Sequence, residues 1–463
     1  MNGSLNLIWA AHIRKKSDAM LEKAILRQAE FIEQLNYEAI DEKVRNNEKR
    51  ILLDSIGCMA AGSKQLKKGR LAKGKHLVIG DSVRREKMSA VFVNASAMVK
   101  NELDEGNQFA FGHPACHILP ALFAEAEEKK VTPEEFLTAF LAAYETAARW
   151  GAAVRLHKNM HVHGTMQTMG AAAAVCKLHH CSKKEIFESI VLANSLPQST
   201  TWKAAFHGDQ IRNGYVGVSN LIGMHAFLMT KTGVKSSIET LQSVWNEIVG
   251  DGIREEFLTE NLGNDYWCGK NYFKMHSACR YVHAFADMVK ELKKTGLKNE
   301  DITRIELYTY KQAAMISQKE AENAFAAKFS IPVSVAMMFE NGSLALEHTT
   351  DKDAQAARVK LLAKKIEVKE DKEYTKMLPE VRANRMAVYT TNQGCYELKC
   401  QSVKGDYSNP FSSEELERKF ERLTDGIWTP ERQKQIIRTI SHLEECKNME
   451  ELFKLLAGRK RGK

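Results

Sequence analysis

A chain of 463 residues, 44% hydrophobic and 27% charged, can bury a sizeable interior and is too long for a single core, so it predicts about two domains. Its 67 Lys and Arg against 58 Asp and Glu give a net charge of +9; the cations are spread along the chain without a nucleic-acid signature, which points to a small anion rather than to RNA or DNA. Nine scattered cysteines with no CxxC pair speak against a disulfide frame or zinc ribbon, and an N-terminal apolar run placed ahead of its basic residues, with no run of membrane-spanning length elsewhere, predicts a cytoplasmic protein with no membrane partner.

From about residue 20 to 268 the apolar spacing is helical. Ile40, Val44, Ile51, Leu52, Ile56 and Met59 share one face, and Gly62 is expected to stop that helix. Residues 101–120, NELDEGNQFAFGHPACHILP, form a glycine-broken loop that sets acidic residues and a histidine ahead of a helical segment, a setting where catalytic groups tend to lie. Thr132-Pro133-Glu134-Glu135 is a capping box, and Phe136, Ala139, Phe140, Ala143, Tyr144 and Ala147 follow at helix spacing. Loops of similar character occur at 161–170 (HVHGTMQTMG) and 203–214 (KAAFHGDQIRNG). The Ala-rich run 170–175 offers a thin surface for close packing, and Ser182 with Glu185 opens another helix.

The texture changes between 269 and 405. After a fourth polar loop, 274–283 (KMHSACRYVH), alternating runs at 302–310 and 385–403 read as strands, with Asn392-Gln393-Gly394 as a hairpin turn. Ser412 with Glu415 restores a helical pattern through Leu455, and the tail 458–463, GRKRGK, reads as solvated and disordered. The predicted fold is mainly α with an α+β insertion: a helical domain over 1–268, an α+β lid over 269–405, and helices over 406–463 that return to the first domain.

The four loops carry the residue types needed to remove a proton alpha to a carboxylate. That chemistry takes a base with a pKa near neutrality, together with cations that hold carboxylates and absorb developing charge. His113, His161 and His163 are the candidate bases, and Lys203, Arg212, Lys274 and Arg280 the candidate anion holders. A cation at a helix end is otherwise a solvated charge of little structural consequence, and a histidine at a helix start is often only a cap. His113, Cys116 and His117 have helical ligand spacing for zinc, a combination that also arises by chance, and no metal is expected.

In order and spacing these segments resemble the MmgE/PrpD family, which takes in dehydratases of 2-methylcitrate, decarboxylases of cis-aconitate and epimerases of iminodisuccinate. The resemblance runs from LLDSIGCMAAGS at 52–63 through the lid. It implies Asp104 and His113-Pro114 as the acidic residue and His-Pro pair, with His113 the main general acid/base. His161 takes the family histidine position in HVHGT, and His163 replaces a residue that is usually small. Lys203, Gly208 and Arg212 fill a KPLHxG segment and the basic residue after it, and Lys274, Cys279 and His283 fill the lid motif. The implied site is His113, Asp104, His161 and Lys274 in catalysis, with Gln108, His163, Lys203, Arg212, Cys279 and Arg280 around the substrate. The resemblance also implies a homodimer and no cofactor.

The chain departs from the family pattern where substrate is read. Arg212, a planar carboxylate fork, stands where decarboxylase-like members carry lysine; Cys279 stands for a lid histidine; Gln108 stands for threonine; and Val333 stands where a tyrosine is common. His207 is shifted by one residue from the family histidine. A lyase acting on a small di- or tricarboxylate, by dehydration or decarboxylation, is the expected function. An epimerase of an iminodisuccinate-like acid, or a non-catalytic member that binds an anion or a protein partner, are the alternatives.

Overall fold

The computed structural model describes residues 2–392 and 394–458, with side chains from residue 18 onward. The basic tail beyond Gly458 and the central residue of the expected hairpin turn, Gln393, lie outside the described residues.

The helices of the first body include α1 (Asn2–Gln34), α2 (Glu42–Ser63), α3 (Lys87–Met98), α4 (Leu119–Lys129), α5 (Pro133–Ala153), α6 (Met169–Leu178), α7 (Lys183–Asn194), α8 (Trp202–His207) and α9 (Ile211–Lys231). The boxes at Thr132 and Ser182 cap α5 and α7: each side chain accepts the amide of the glutamate three residues on, and that glutamate's carboxylate returns to the cap amide. The small residues of α6 permit the expected close approach, since a Cβ on Gly223 of α9 would lie 2.5 Å from the Ala171 Cβ. Gly62 does not stop α2. The helix continues to Ser63, and a Cβ at Gly62 would lie 1.9 Å from the Ala97 carbonyl oxygen, so this glycine serves helix–helix contact with α3.

The C-terminal helices Ser413–Leu423, Pro430–Ser441 and Glu450–Leu456 share one hydrophobic core with this body, through Leu416, Phe420, Ile436, Leu452 and Phe453. The first opens with the Ser412–Glu415 capping box. It also carries a buried ammonium into the body, where Lys419 Nζ donates to Asp54 Oδ1 at 2.5 Å and to the Leu103 carbonyl at 2.7 Å. A second core forms from residues between Ala278 and Val403. There the strands Ile366–Glu370, Ile302–Thr309, Asn384–Thr390 and Cys395–Cys400 lie in that order; the first pair is parallel and the others antiparallel, with Ile305 opposite both Ile366 and Val388. The protein is thus mainly helical with a smaller α+β part. Among the described residues no helix is long and apolar enough to cross a membrane.

The two parts meet at the loop 101–113. Gly106 and Asn107 pair antiparallel with Tyr272 and Asn271, at the entrance to the second part. The Asn101 carbonyl accepts from Ser277 Oγ at 2.7 Å and Lys328 Nζ at 3.2 Å, while Lys419 holds Leu103 from below. The loop is therefore pinned from three separate segments.

Candidate active site

His113 sits just ahead of a short 3₁₀ turn begun by Pro114, in an extended conformation with φ −131°. Its backbone amide donates to Gln167 Oε1 at 2.9 Å. The ring's Nδ1–H donates to the Glu105 carbonyl at 2.7 Å, and the Asp104 carboxylate lies 2.9 Å from the same nitrogen. With Nδ1 so engaged, Nε2 is the ring nitrogen left to act. Gly106 makes this packing possible, because a Cβ there would lie 2.4 Å from the Tyr272 hydroxyl and 3.0 Å from His113 Nδ1.

Beneath His113 lies a buried layer of alternating charge. Burial alone would raise the Asp104 carboxyl, but Lys274 and then His113 outweigh it and hold the group below the usual carboxylate range. Burial would likewise lower the Lys274 ammonium, and Asp104 and Glu102 hold it above the ordinary lysine value. Lys274 Nζ lies 3.2 Å from Glu102 Oε2 and 3.6 Å from Asp104 Oδ1. The other oxygen of Glu102 pairs with Arg212, whose guanidinium also stacks 5.1 Å from the Phe329 ring. Glu102 holds this bridging position from a left-handed backbone, φ 54°. Sequence reasoning passed over it, although it is the first of three acids in NELDEG.

Behind His113 is a stack of neutral imidazoles. His163 lies 5.0 Å from the His113 ring, 5.1 Å from His161 and 5.4 Å from His117, centroid to centroid. Burial, and after it the Arg212 charge, hold His161 and His163 well below the usual histidine range; burial takes His117 down to about 3. His161 Nδ1 accepts the His163 backbone N–H at 3.0 Å, so the neutral ring carries its proton on Nε2, which is buried without a partner. His161 is therefore a hydrogen-bond donor rather than a base. His163 shares a 3.2 Å hydrogen bond with His117 Nε2, whose other nitrogen meets Ser219 Oγ at 2.8 Å. In ¹⁵N-histidine spectra these three rings are expected to stay neutral as pH falls from 7.5 to 5.5, because a lowered pKa keeps the proton off through that window, with His161 as the Nε2–H tautomer. Protonation of His161 near pH 6.5 would refute the donor assignment.

These groups converge on a small cavity of about 40 Å³, lined by His113, His161, Arg212, Cys279 and Arg280 among the residues singled out in the sequence. Burial pushes the Cys279 thiol up to about 11, so it is a neutral wall of the cavity. Arg280 pairs with Asp406 and stacks 4.9 Å from the Tyr272 ring. Arg382, which carried no motif in the sequence, also lines the cavity. It stacks between Tyr272 (5.3 Å) and Tyr281 (6.0 Å), and its Nη1 is buried with no hydrogen-bond partner. Tyr272 and Tyr281 line the cavity too, their phenols held protonated by burial.

Other expected residues stand apart from the cavity. Lys274 and His163 are fully buried behind it. Lys203 is exposed on α8, as is the His207 side chain, 3.7 Å from Glu322. Gln108 donates to the carbonyls of Pro379 at 2.8 Å and Glu380 at 3.2 Å, tethering the segment that presents Arg382. Val333 is buried in the second core on the helix Ile331–Asn341. Two groups could present ligand atoms to a metal ion, Cys116 with His117 and His163, and Asp104 with His113 and His163, each set lying within 4.8 Å. The first holds its thiol protonated by burial, with Cys116 Sγ donating to the His113 carbonyl at 3.1 Å.

Comparison with known proteins identifies relatives along most of the chain. The cis-aconitate decarboxylase-like protein oryM of Aspergillus oryzae is 22% identical over an alignment covering 92% of this chain and 96% of that protein. A cis-aconitate decarboxylase of Aspergillus terreus is 19% identical, covering 90% of this chain and 92% of that protein. Residues 27–246 match the MmgE/PrpD N-terminal domain and residues 276–445 the MmgE/PrpD C-terminal domain. Since the two matches follow one another in order and together span most of the chain, the chain belongs to the MmgE/PrpD family.

Proposed function

We propose that the protein is a lyase that removes a proton alpha to a carboxylate of a small di- or tricarboxylate, with His113 as general acid/base. The observation that supports this best is the fixed His113 ring, its Nδ1 committed to Glu105 and Asp104, lining one cavity with an unpaired guanidinium at Arg382. His113 Nε2 takes the proton. His161 Nε2–H and the Tyr272 and Tyr281 phenols donate to the carboxylate oxygens as they gain charge, inside a site that excludes most water. Arg382 accepts one carboxylate as a planar fork, and Arg212, although paired with Glu102, adds positive potential from the other wall. The names of the relatives favour loss of a carboxylate over simple binding.

The same reading takes residues 1–268 with 406–463 as the body and 269–405 as the lid, since Arg212 and His113 come from one part and Tyr272, Arg280 and Arg382 from the other. A cytoplasmic homodimer follows from family likeness. A panel of di- and tricarboxylates incubated with the enzyme in deuterated water and followed by NMR tests the reaction: product with lost CO₂ or water supports a lyase, and solvent deuterium gained without either identifies an epimerase. Absence of both from every acid refutes the enzyme reading.

Arg382→Lys keeps the charge and loses the fork, so the apparent affinity for the true substrate is expected to fall by roughly tenfold or more, the scale of one charged hydrogen bond. Steady-state KM and inhibitor binding measure it; unchanged values would remove Arg382 from carboxylate recognition.

A further inference from the structure

The cavity at His113 adjoins a second one of about 350 Å³, at the small end of ligand pockets, which run to about 300–1,000 Å³. Phe111, Val162, Trp202 and Tyr281 line both, so the two lie side by side. Their walls differ in kind. The first presents histidines and arginines; the second is walled mostly by apolar side chains, Leu156, Met166, Phe206, Met315 and Ile316 among them, with Arg155 and Lys158 exposed and Arg254 already donating to the Ala152 carbonyl and stacked on Phe257. The first cavity, at about 40 Å³, is far smaller than the second, at about 350 Å³. Its histidines and arginines suit the carboxylates and the reacting carbon, and a longer substituent must extend past Trp202. A second or third carboxylate there would be desolvated against apolar side chains, whereas an apolar substituent gains by burial.

We propose that the second cavity receives an alkyl or alkenyl substituent of several carbons, so that the preferred substrate is a chain-bearing di- or tricarboxylate rather than a compact one. This rests on the carboxylate reading of the His113 site. The Gln312 side chain adds a detail: its Oε1 is buried in the second cavity without a partner and would accept from a hydroxyl on the chain.

Calorimetric titration of the full-length protein with 2-methyl-, 2-propyl-, 2-hexyl- and 2-octylsuccinate tests the proposal. The dissociation constant is expected to fall about fourfold per added methylene until the cavity is filled, and then to level off. In Met315→Trp the levelling should come at a shorter chain with methylsuccinate affinity unchanged, and in Leu156→Ala at a longer one. Binding that ignores chain length in the unmodified protein overturns the proposal and leaves the carboxylate reading intact, whether or not the variants fold. A chain-length series unaltered in folded Met315→Trp overturns it as well. Failure of every acid to bind, methylsuccinate included, refutes the carboxylate reading and this proposal together.

Discussion

His113→Ala is expected to lower turnover on the true substrate by a factor on the order of a hundred or more while the fold persists, the usual scale for loss of a general acid/base. The ring is partly open to the cavity, and its Nδ1 meets the Glu105 carbonyl and the Asp104 carboxylate, so its removal costs roughly 1–2 kcal/mol of stability. Asp104 loses the ring but keeps Lys274 at 3.6 Å. Chemistry and folding thus separate cleanly in this variant. The comparison is single-turnover rate against urea midpoint; near-normal turnover in a folded His113→Ala protein would remove His113 from the mechanism and shift attention to the neutral rings behind it.

How far the site was legible in the sequence depended on how local each relation is. Asp104 and His113 belong to one glycine-broken loop, and their proximity follows from eight intervening positions and a turn. The capping boxes at Thr132, Ser182 and Ser412 were readable because each is a local exchange of hydrogen bonds. Arg382 was not readable. It reaches the cavity from a segment bound through carbonyl groups to Gln108, a contact across 271 residues that depends on backbone oxygens and leaves no mark on residue type. Lys203 sat in a promising loop but on the wrong side of a helix: α8 turns Ala205 inward, with Trp202 and Phe206 packed against the second core, and its lysine faces solvent. The parallel strand Ile366–Glu370 was missed because IEVKE is short and half charged. Lys274 was found in the right place with the wrong partner, since a sequence shows a cation but not the carboxylates that reach it first.

That pairing makes Lys274→Met the most disruptive single change expected in the loop. Lys274 is fully buried, and its ammonium faces two carboxylates that are themselves fully buried, Glu102 at 3.2 Å and Asp104 at 3.6 Å. Deleting it leaves two negative charges in a low-dielectric layer, with Arg212 beside Glu102 and the His113 ring beside Asp104. Breaking a buried pair in this way costs about 3–5 kcal/mol, because the partner's desolvation is no longer offset. Turnover should fall as well, since the displaced loop carries His113. If the cost arises from unpaired charge rather than from lost packing, removing a carboxylate from the same layer must return part of it: the double variant Lys274→Met with Glu102→Gln is expected to be more stable than Lys274→Met alone, a non-additivity that neighbours in one charge network show and independent sites do not. Urea unfolding of the two single variants and the double variant closes the cycle. A Lys274→Met protein within about 1 kcal/mol of the parent, or a double variant whose losses simply add, would mean that the layer under His113 is not held together by this ammonium.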